Sequence, residues 1–302
     1  MSVPKEEILT GGVASDVRIV YGCDGPVVVK QALGKLKVAA DWRSNPARSA
    51  VEVAALEVAA ELIDPASVPR VLAVDQDANS FTMNLVEPRF RNWKTELLAG
   101  RLDARTAARA GEMLAKWHAG SALRPDLASR FADLTYFEEL RLEPFFHQVA
   151  RRLPHLAAPI AKVTAGMSAR RSALVHGDFS PKNMLVDGAD VVLLDFEVAH
   201  WGDPRFDIGF LLAHLLLKRM RRGADRAGFN ALANAFLEAY GKRGLPVLDD
   251  ALVQIVGCLI LARIDGDSPV DYLVDIDADA GRRNAQRLLL DPPAQPQLLV
   301  ST

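Results

Sequence analysis

Cysteine is scarce in this chain of 302 residues: only Cys23 and Cys258 occur, with no metal-ligand spacing between them. They read as two free thiols, as expected in a reducing compartment. A dominant sign of charge is also missing. Lys and Arg total 36 against 38 Asp and Glu, a formal net charge of -2. No global field therefore draws the chain to nucleic acid or to an anionic membrane. Long apolar runs are absent: 208–217 is broken by His214 and 251–264 by Gln254, and both are too short to span a bilayer. The opening MSVPKEEILTGG is too polar for a secretory signal, so a cytoplasmic protein is expected. No internal repeat is present, and G-x-G-x-x-G does not occur in the glycine-bearing loop Thr10–Asp16. Only the tail Pro292–Thr302 is compositionally biased.

What is there centres on residues 174–197, LVHGDFSPKNMLVDGADVVLLDFE. The run Met184–Val186, a turn at Asp187-Gly188 and the run Val191–Leu194 predict a β-hairpin. The residue opening its first strand and the residue closing its second meet at one end, which places Asn183 beside Asp195. Asp178 lies just before, on a loop whose Pro181 disfavours a helix. An amide oxygen with two carboxylates makes a hard-oxygen site suited to Mg²⁺. Phosphoryl transfer needs such a set: a metal to neutralise phosphate charge, and a carboxylate to accept the proton of an attacking hydroxyl.

The first 85 or so residues predict strands around one helix. Val17–Tyr21 and Val27–Lys30 flank a turn signal at Gly22–Pro26, and Val68–Val74 and Ser80–Val86 flank another at Asp75–Asn79. Ser49–Ile63 is helical by composition. From Arg91 onward the pattern is mostly helical. Asp103 is expected to cap a helix that runs to about His118, with Gly120 after it and with Trp117 and His118 in its core. Further helices are expected at Asp133–Glu143, from Pro144, at Leu156–Ser168, from Asp207 as N-cap to about Arg222, and over Arg226–Tyr240 and Asp250–Ile264. Six aspartates between Asp265 and Asp279 form either a solvated acidic surface or an acidic wall for a cationic ligand.

HGDFSPKN followed by LLDFE resembles the catalytic and metal-binding motifs of the aminoglycoside phosphotransferase and choline-kinase group, relatives of the protein kinases. The resemblance implies an α+β, bilobal, protein-kinase-like fold: a nucleotide-binding lobe over 1–86 and a catalytic and substrate-binding lobe over 87–302. It implies Lys30 at the nucleotide phosphates, paired with Glu52 or, second choice, Glu57. Adenine would meet backbone at Asn84 and Val86, beside Met83. Asn183, Asp195 and Glu197 would hold metal, Asp178 would be the catalytic base, Lys182 would face the transferred group, and Asp207 would tether the catalytic loop. ATP and Mg²⁺ are the expected cofactors, and a small-molecule hydroxyl, aminoglycoside-, sugar- or amino-alcohol-like, the expected acceptor. The twelve positions from Asp195 to Asp207 are too few for a protein-kinase activation segment. A nucleotide-binding regulator without turnover is the alternative.

Overall fold

The computed structural model describes residues 5–9, 12–23, 25–38, 42–243 and 249–293. Thr10 and Gly11 of the glycine-bearing loop, Asp24 of the first turn and positions 294–302 of the tail lie outside them. Strands β1 (Lys5–Leu9), β2 (Ser15–Gly22), β3 (Gly25–Ala32), β4 (Val71–Asp75) and β5 (Ser80–Asn84) form one antiparallel sheet in the order β1-β2-β3-β5-β4. The register sets Lys30 opposite Val17 on one side and Phe81 on the other. β1 is absent from the sequence expectation. Its KEEIL has no alternation to read, because all five residues of this edge strand are exposed.

Helix α1 (Arg48–Leu62) packs against β3, β4 and β5. Ala, Val, Leu and Glu dominate it, and neither Gly nor Pro interrupts it. Glu52, Ala55, Leu56 and Ala59 repeat at helical spacing and are buried. Glu57, five positions after Glu52 and so about 140° away around the helix, faces out to Arg130, and Glu61 pairs with Arg124.

The rest of the chain holds β6 (Arg91–Asn92), α2 (Trp93–Leu98), α3 (Ala104–Ala122), α4 (Pro125–Arg130), α5 (Thr135–Phe137), a π-helical stretch (Glu138–His147), α6 (Gln148–Arg152) and α7 (Ala157–Ala169). It continues through β7 (Ala173–Val175), β8 (Met184–Asp187), β9 (Asp190–Leu193), β10 (His200–Gly202), α8 (Arg205–Arg219), α9 (Arg226–Gly241), α10 (Asp250–Asp265) and α11 (Ala278–Leu290). β6, β8 and β9 form one small sheet, and β7 pairs with β10. α3 packs on α9, and α10 lies between α8 and α11. Among the described residues no helix is long and apolar enough to cross a membrane.

Three helix boundaries differ from expectation, each for a local reason. α3 runs through Gly120 to Ala122. A Cβ at Gly120 would come 3.1 Å from the Leu62 side chain, so this glycine admits the end of α1 and terminates nothing. Pro144 does not start a new turn: it lies inside the π-helical stretch, whose wider turns accommodate it. Asp207 is not the cap of α8. The cap position is Pro204, without a side-chain cap, and Asp203 just before it accepts from the Arg205 N–H at 3.0 Å, which leaves Asp207 for another task.

Candidate active site

β8 and β9 pair with Met184 opposite Leu193, so Asn183 and Asp195 stand at the open end of the hairpin. The Leu194 N–H donates to the Asn183 carbonyl at 2.9 Å and closes that end. Asn183 ends a 3₁₀ turn, Pro181–Asn183, which Pro181 opens from the first position. Its side-chain amide then donates to the Asp178 carbonyl at 3.0 Å, binding hairpin and loop together.

Asp178 is buried between two cations. Arg141, from the π-helical stretch, and Lys182 each place a nitrogen 2.9 Å from its Oδ2. Burial alone would raise its pKa, but Lys182 and Arg141 outweigh it and hold the carboxyl below its ordinary value. The group is ionised near neutrality, as an acceptor of a hydroxyl proton must be. The Arg141 Nε also donates to the Gly177 carbonyl at 2.6 Å.

The loop owes its shape to Asp207. Its fully buried carboxylate accepts from the His176 N–H at 2.7 Å and the Gly177 N–H at 2.9 Å, and His118 Nε2 lies 3.1 Å away. Gly177 has φ +80°, and a Cβ there would meet the Val198 carbonyl at 2.7 Å. His176 packs against Phe196 at 4.4 Å between ring centroids. Burial lowers the pKa of its imidazole, which leaves it a neutral spacer.

Across the cleft, Lys30 Nζ lies 2.7 Å from Glu52 Oε1 and 2.5 Å from Asp195 Oδ1. Burial pushes its ammonium down, yet Asp195, Glu52 and Glu197 together carry it above the ordinary lysine value. Asp195 is the principal partner: burial would raise its carboxyl, but Lys30 and Lys182 bring it well below the carboxylate range. Glu52 is the weaker partner, pushed by burial up to about 7 against the pull of Lys30. Asp195 has φ +70° without being glycine, a strained backbone of the kind retained where a side chain must be aimed.

Oxygens of Glu52, Asp195 and Glu197 lie within 4.8 Å of one another. These carboxylates share two cations, Lys30 and Arg48. Arg48 is fully buried; its Nε reaches Glu197 Oε2 at 2.9 Å, and its Nη2 donates to the Leu33 carbonyl at 3.0 Å and to that of Ala14. Three carboxylates thus face two cations. The donor set suits a hard divalent cation: Asp195 Oδ2 and Asn183 Oδ1 have no hydrogen-bond partner among the described residues.

Not every expected residue joins this cluster. Asn84, at the end of β5, commits its N–H to the Arg70 carbonyl at 3.1 Å and accepts from the Arg70 N–H at 2.6 Å. Val86 follows, partly buried. The aspartates of 265–279 form no open acidic wall, because most have cations: Asp265 with Arg282, Asp267 with Arg152, Asp271 with Lys94, Asp275 with Arg221. A groove of about 490 Å³ lined by Arg91, Arg101, Asp103 and Gly188 sits behind the hairpin turn, away from Asp178. Sequence reasoning missed Arg48 and Arg141. The one signal for Arg141 is a charge inside the apolar run LRLEPFF; Arg48 gave none.

The phosphotransferase enzyme family matches residues 6–250. Among curated proteins, a methylthioribose kinase of Bacillus velezensis is 27% identical over 88% of this chain and 78% of its own length. One from Bacillus cereus is 24% identical over 67% of this chain, which spans only 58% of that protein. Among solved structures, an amicoumacin kinase in complex with AMP-PNP, Ca²⁺ and Ami superposes with a TM-score of 0.59 at 14% identity, covering 96% of this chain and 90% of that one. The fold is thus protein-kinase-like.

Proposed function

The chain belongs to the phosphotransferase enzyme family, and from that premise we propose that it transfers the γ-phosphate of ATP to a hydroxyl of a small molecule. The observation that carries the proposal is the contact of Lys30 with Asp195: it brings the lysine of the sheet to the hairpin that also holds Asp178. In this reading residues 1–86 bind nucleotide, and 87–302 supply the catalytic loop and the acceptor site.

Lys30, steadied by Glu52, contacts the α- and β-phosphates. Val86 and the carbonyl of Asn84 meet the adenine through backbone. Asn183 and Asp195 hold Mg²⁺, which when bound neutralises phosphate charge. Glu197, with Oε2 bonded to Arg48, would lend its other oxygen to the metal site. Asp178 takes the proton of the acceptor hydroxyl. Lys182, half-exposed beside it, faces the transferring phosphoryl group. Arg141 lowers the basicity of Asp178 and fixes its direction. The methylthioribose kinases among the relatives support a small hydroxylated acceptor.

Asp178→Asn tests the reading. Mg²⁺-dependent ATP turnover with the preferred hydroxyl acceptor is expected to fall at least about 10³-fold, while ATP affinity changes less than about threefold. A variant that retains turnover removes Asp178 from the chemistry. Loss of ATP affinity would instead make it a nucleotide ligand.

A further inference from the structure

Among the described residues, two cations of the helical part have no carboxylate in direct contact, unlike Lys30, Arg48 and Arg141. Lys218, on α8, is 1% exposed. Its Nζ donates to the Tyr272 hydroxyl at 3.2 Å and the His214 carbonyl at 3.4 Å, over the Tyr272 ring at 5.1 Å. Arg263, on the adjacent α10, spends Nη1 on the Ser268 hydroxyl at 2.8 Å. Its Nε is out of solvent without a hydrogen-bond partner. Among the described residues neither has a carboxylate within 4.0 Å.

Arg263 links the pair to the catalytic carboxylate: burial lowers its pKa, and Asp178 is the foremost charge opposing that, while Arg263 in turn acts on Lys218. The Arg263 guanidinium lies 5.6 Å from the Phe145 ring, and the Arg141 guanidinium, which touches Asp178, lies 5.7 Å from the same ring. From the other side, the Asn92 side chain donates to the Lys182 carbonyl at 2.7 Å. Two residues on, Lys94 meets Asp271, the neighbour of Tyr272, at 2.6 Å. Two chains of contacts thus run from the neighbourhood of Lys218 to the catalytic loop, one through Arg263, Phe145 and Arg141 and one through Asp271, Lys94 and Asn92.

Burying an unpaired ammonium is costly, and placing a guanidinium near it adds repulsion. The aspartates that might have neutralised the pair are held by other cations, as described above. Asp271 is the acid that acts on Lys218, and Lys94 already holds it; the acid that acts most on Arg263 is Asp178 itself, held by Arg141 and Lys182. Resting on the phosphotransferase reading, we infer that the acceptor carries an anionic group, a carboxylate or a phosphate monoester, seated on Lys218 and Arg263 while Asp178 faces its hydroxyl. Asp271 then stands at the mouth as a competing anion.

Burial, with Lys94 and Arg263 nearby, pushes the Lys218 ammonium down to about 7. The groups that face it are Lys94 on α2, Arg263 on α10, Arg221 after α8, and Asp271 and Tyr272 on the loop after α10, with His214, held neutral by burial, one turn away. An anion seated on Lys218 therefore draws a proton onto it above neutral pH, which gives a readout independent of turnover.

The test pairs matched acceptors, glycerol with glycerate and with glycerol 3-phosphate, and choline as the cationic member. Wild type is compared with Lys218→Met, Arg263→Met and Asp271→Asn, each checked for folding by circular dichroism. One or both anionic acceptors are expected to show KM at least about tenfold below glycerol. Lys218→Met and Arg263→Met should each raise that KM at least about tenfold with kcat changed less than about threefold, and Asp271→Asn should lower it. The two anionic arms tell carboxylate from phosphate. In parallel, calorimetric titration of glycerate and glycerol 3-phosphate at pH 8, in buffers of different ionisation heat, should show proton uptake in wild type and none in Lys218→Met. No binding by either anion to the folded protein, or a preference for glycerol or choline untouched by Lys218→Met, overturns the inference. Anion binding with proton uptake but no turnover on any acceptor overturns the phosphotransferase reading and leaves the anion site standing.

Discussion

Burial without a carboxylate gives Lys218 a measurable signature in stability. Its pKa is about 7 in the folded chain and about 10.4 unfolded. Between those values the unfolded chain holds a proton that the folded one has shed, so stability rises with pH across the window; at and below pH 7 the burial penalty is full. Lys218→Met is expected to raise Tm at pH 7 by at least about 3 °C, from a gain of roughly 1–4 kcal/mol. It should also flatten the rise of Tm between pH 7 and 10, which calorimetry at stepped pH reads directly. A lower Tm would mean that the Tyr272 hydrogen bond and stacking outweigh the charge. Legibility also divides at this scale. Asp178, Asn183 and Asp195 were readable because one hairpin and the short loop before it bring them together. Rotation separates Glu52 from Glu57 and Glu61 but left the choice between Glu52 and Glu57 to the structure, which pairs Glu52 with Lys30. Arg48, Arg141, Lys218 and Arg263 were not. Their meaning depends on partners that are distant in the chain, or missing, and no local spacing encodes either.

Among elements, the start of α8 does the most for the site. Asp203 accepts from the Arg205 N–H at the helix start, and the carboxylate of Asp207, in the first turn, points back to hold two consecutive amides of the catalytic loop. In Asp207→Asn one acceptor oxygen becomes a donor facing a backbone N–H, in a place sealed from water. The expected loss is about 2–4 kcal/mol of stability, with kcat reduced more than about tenfold and the KM for ATP nearly unchanged, since Lys30 and Glu52 are untouched. Steady-state kinetics beside a urea melt separates these effects; an unchanged kcat would show that the loop keeps its shape without the tether. Hydrophobic period served well for α3, with its continuous buried face, while α10 was found by its apolar length, being buried nearly all round. It failed at Glu138–His147, where π-helical turns shift the phase of the pattern. It passed over α11 although Gly281, Ala285, Leu288 and Leu289 are buried at helical spacing behind an Asp277 cap, because the preceding aspartates read as loop.

For the molecule as a whole, the sheet and α1 are joined to the helical remainder by buried charge as well as by apolar packing. Exposed pairs such as Arg124 with Glu61 and Arg130 with Glu57 add little, since water and salt screen them. Arg48 with Glu197 and Lys30 with Asp195 differ, because either side alone would carry charges shaped for a partner it no longer has. Severing the chain between Val86 and Glu87 turns that dependence into an assay. Fragments 1–86 and 87–302 expressed apart should each lack a cooperative melt, and co-expressed they should associate and recover Mg·ATP binding. An Arg48→Met fragment should reassemble at least about tenfold more weakly. A first fragment that folds alone would contradict this. If the halves do depend on each other in this way, Arg48 makes the protein a natural candidate for a split reporter, in which phosphotransferase activity appears only where two fused partners meet.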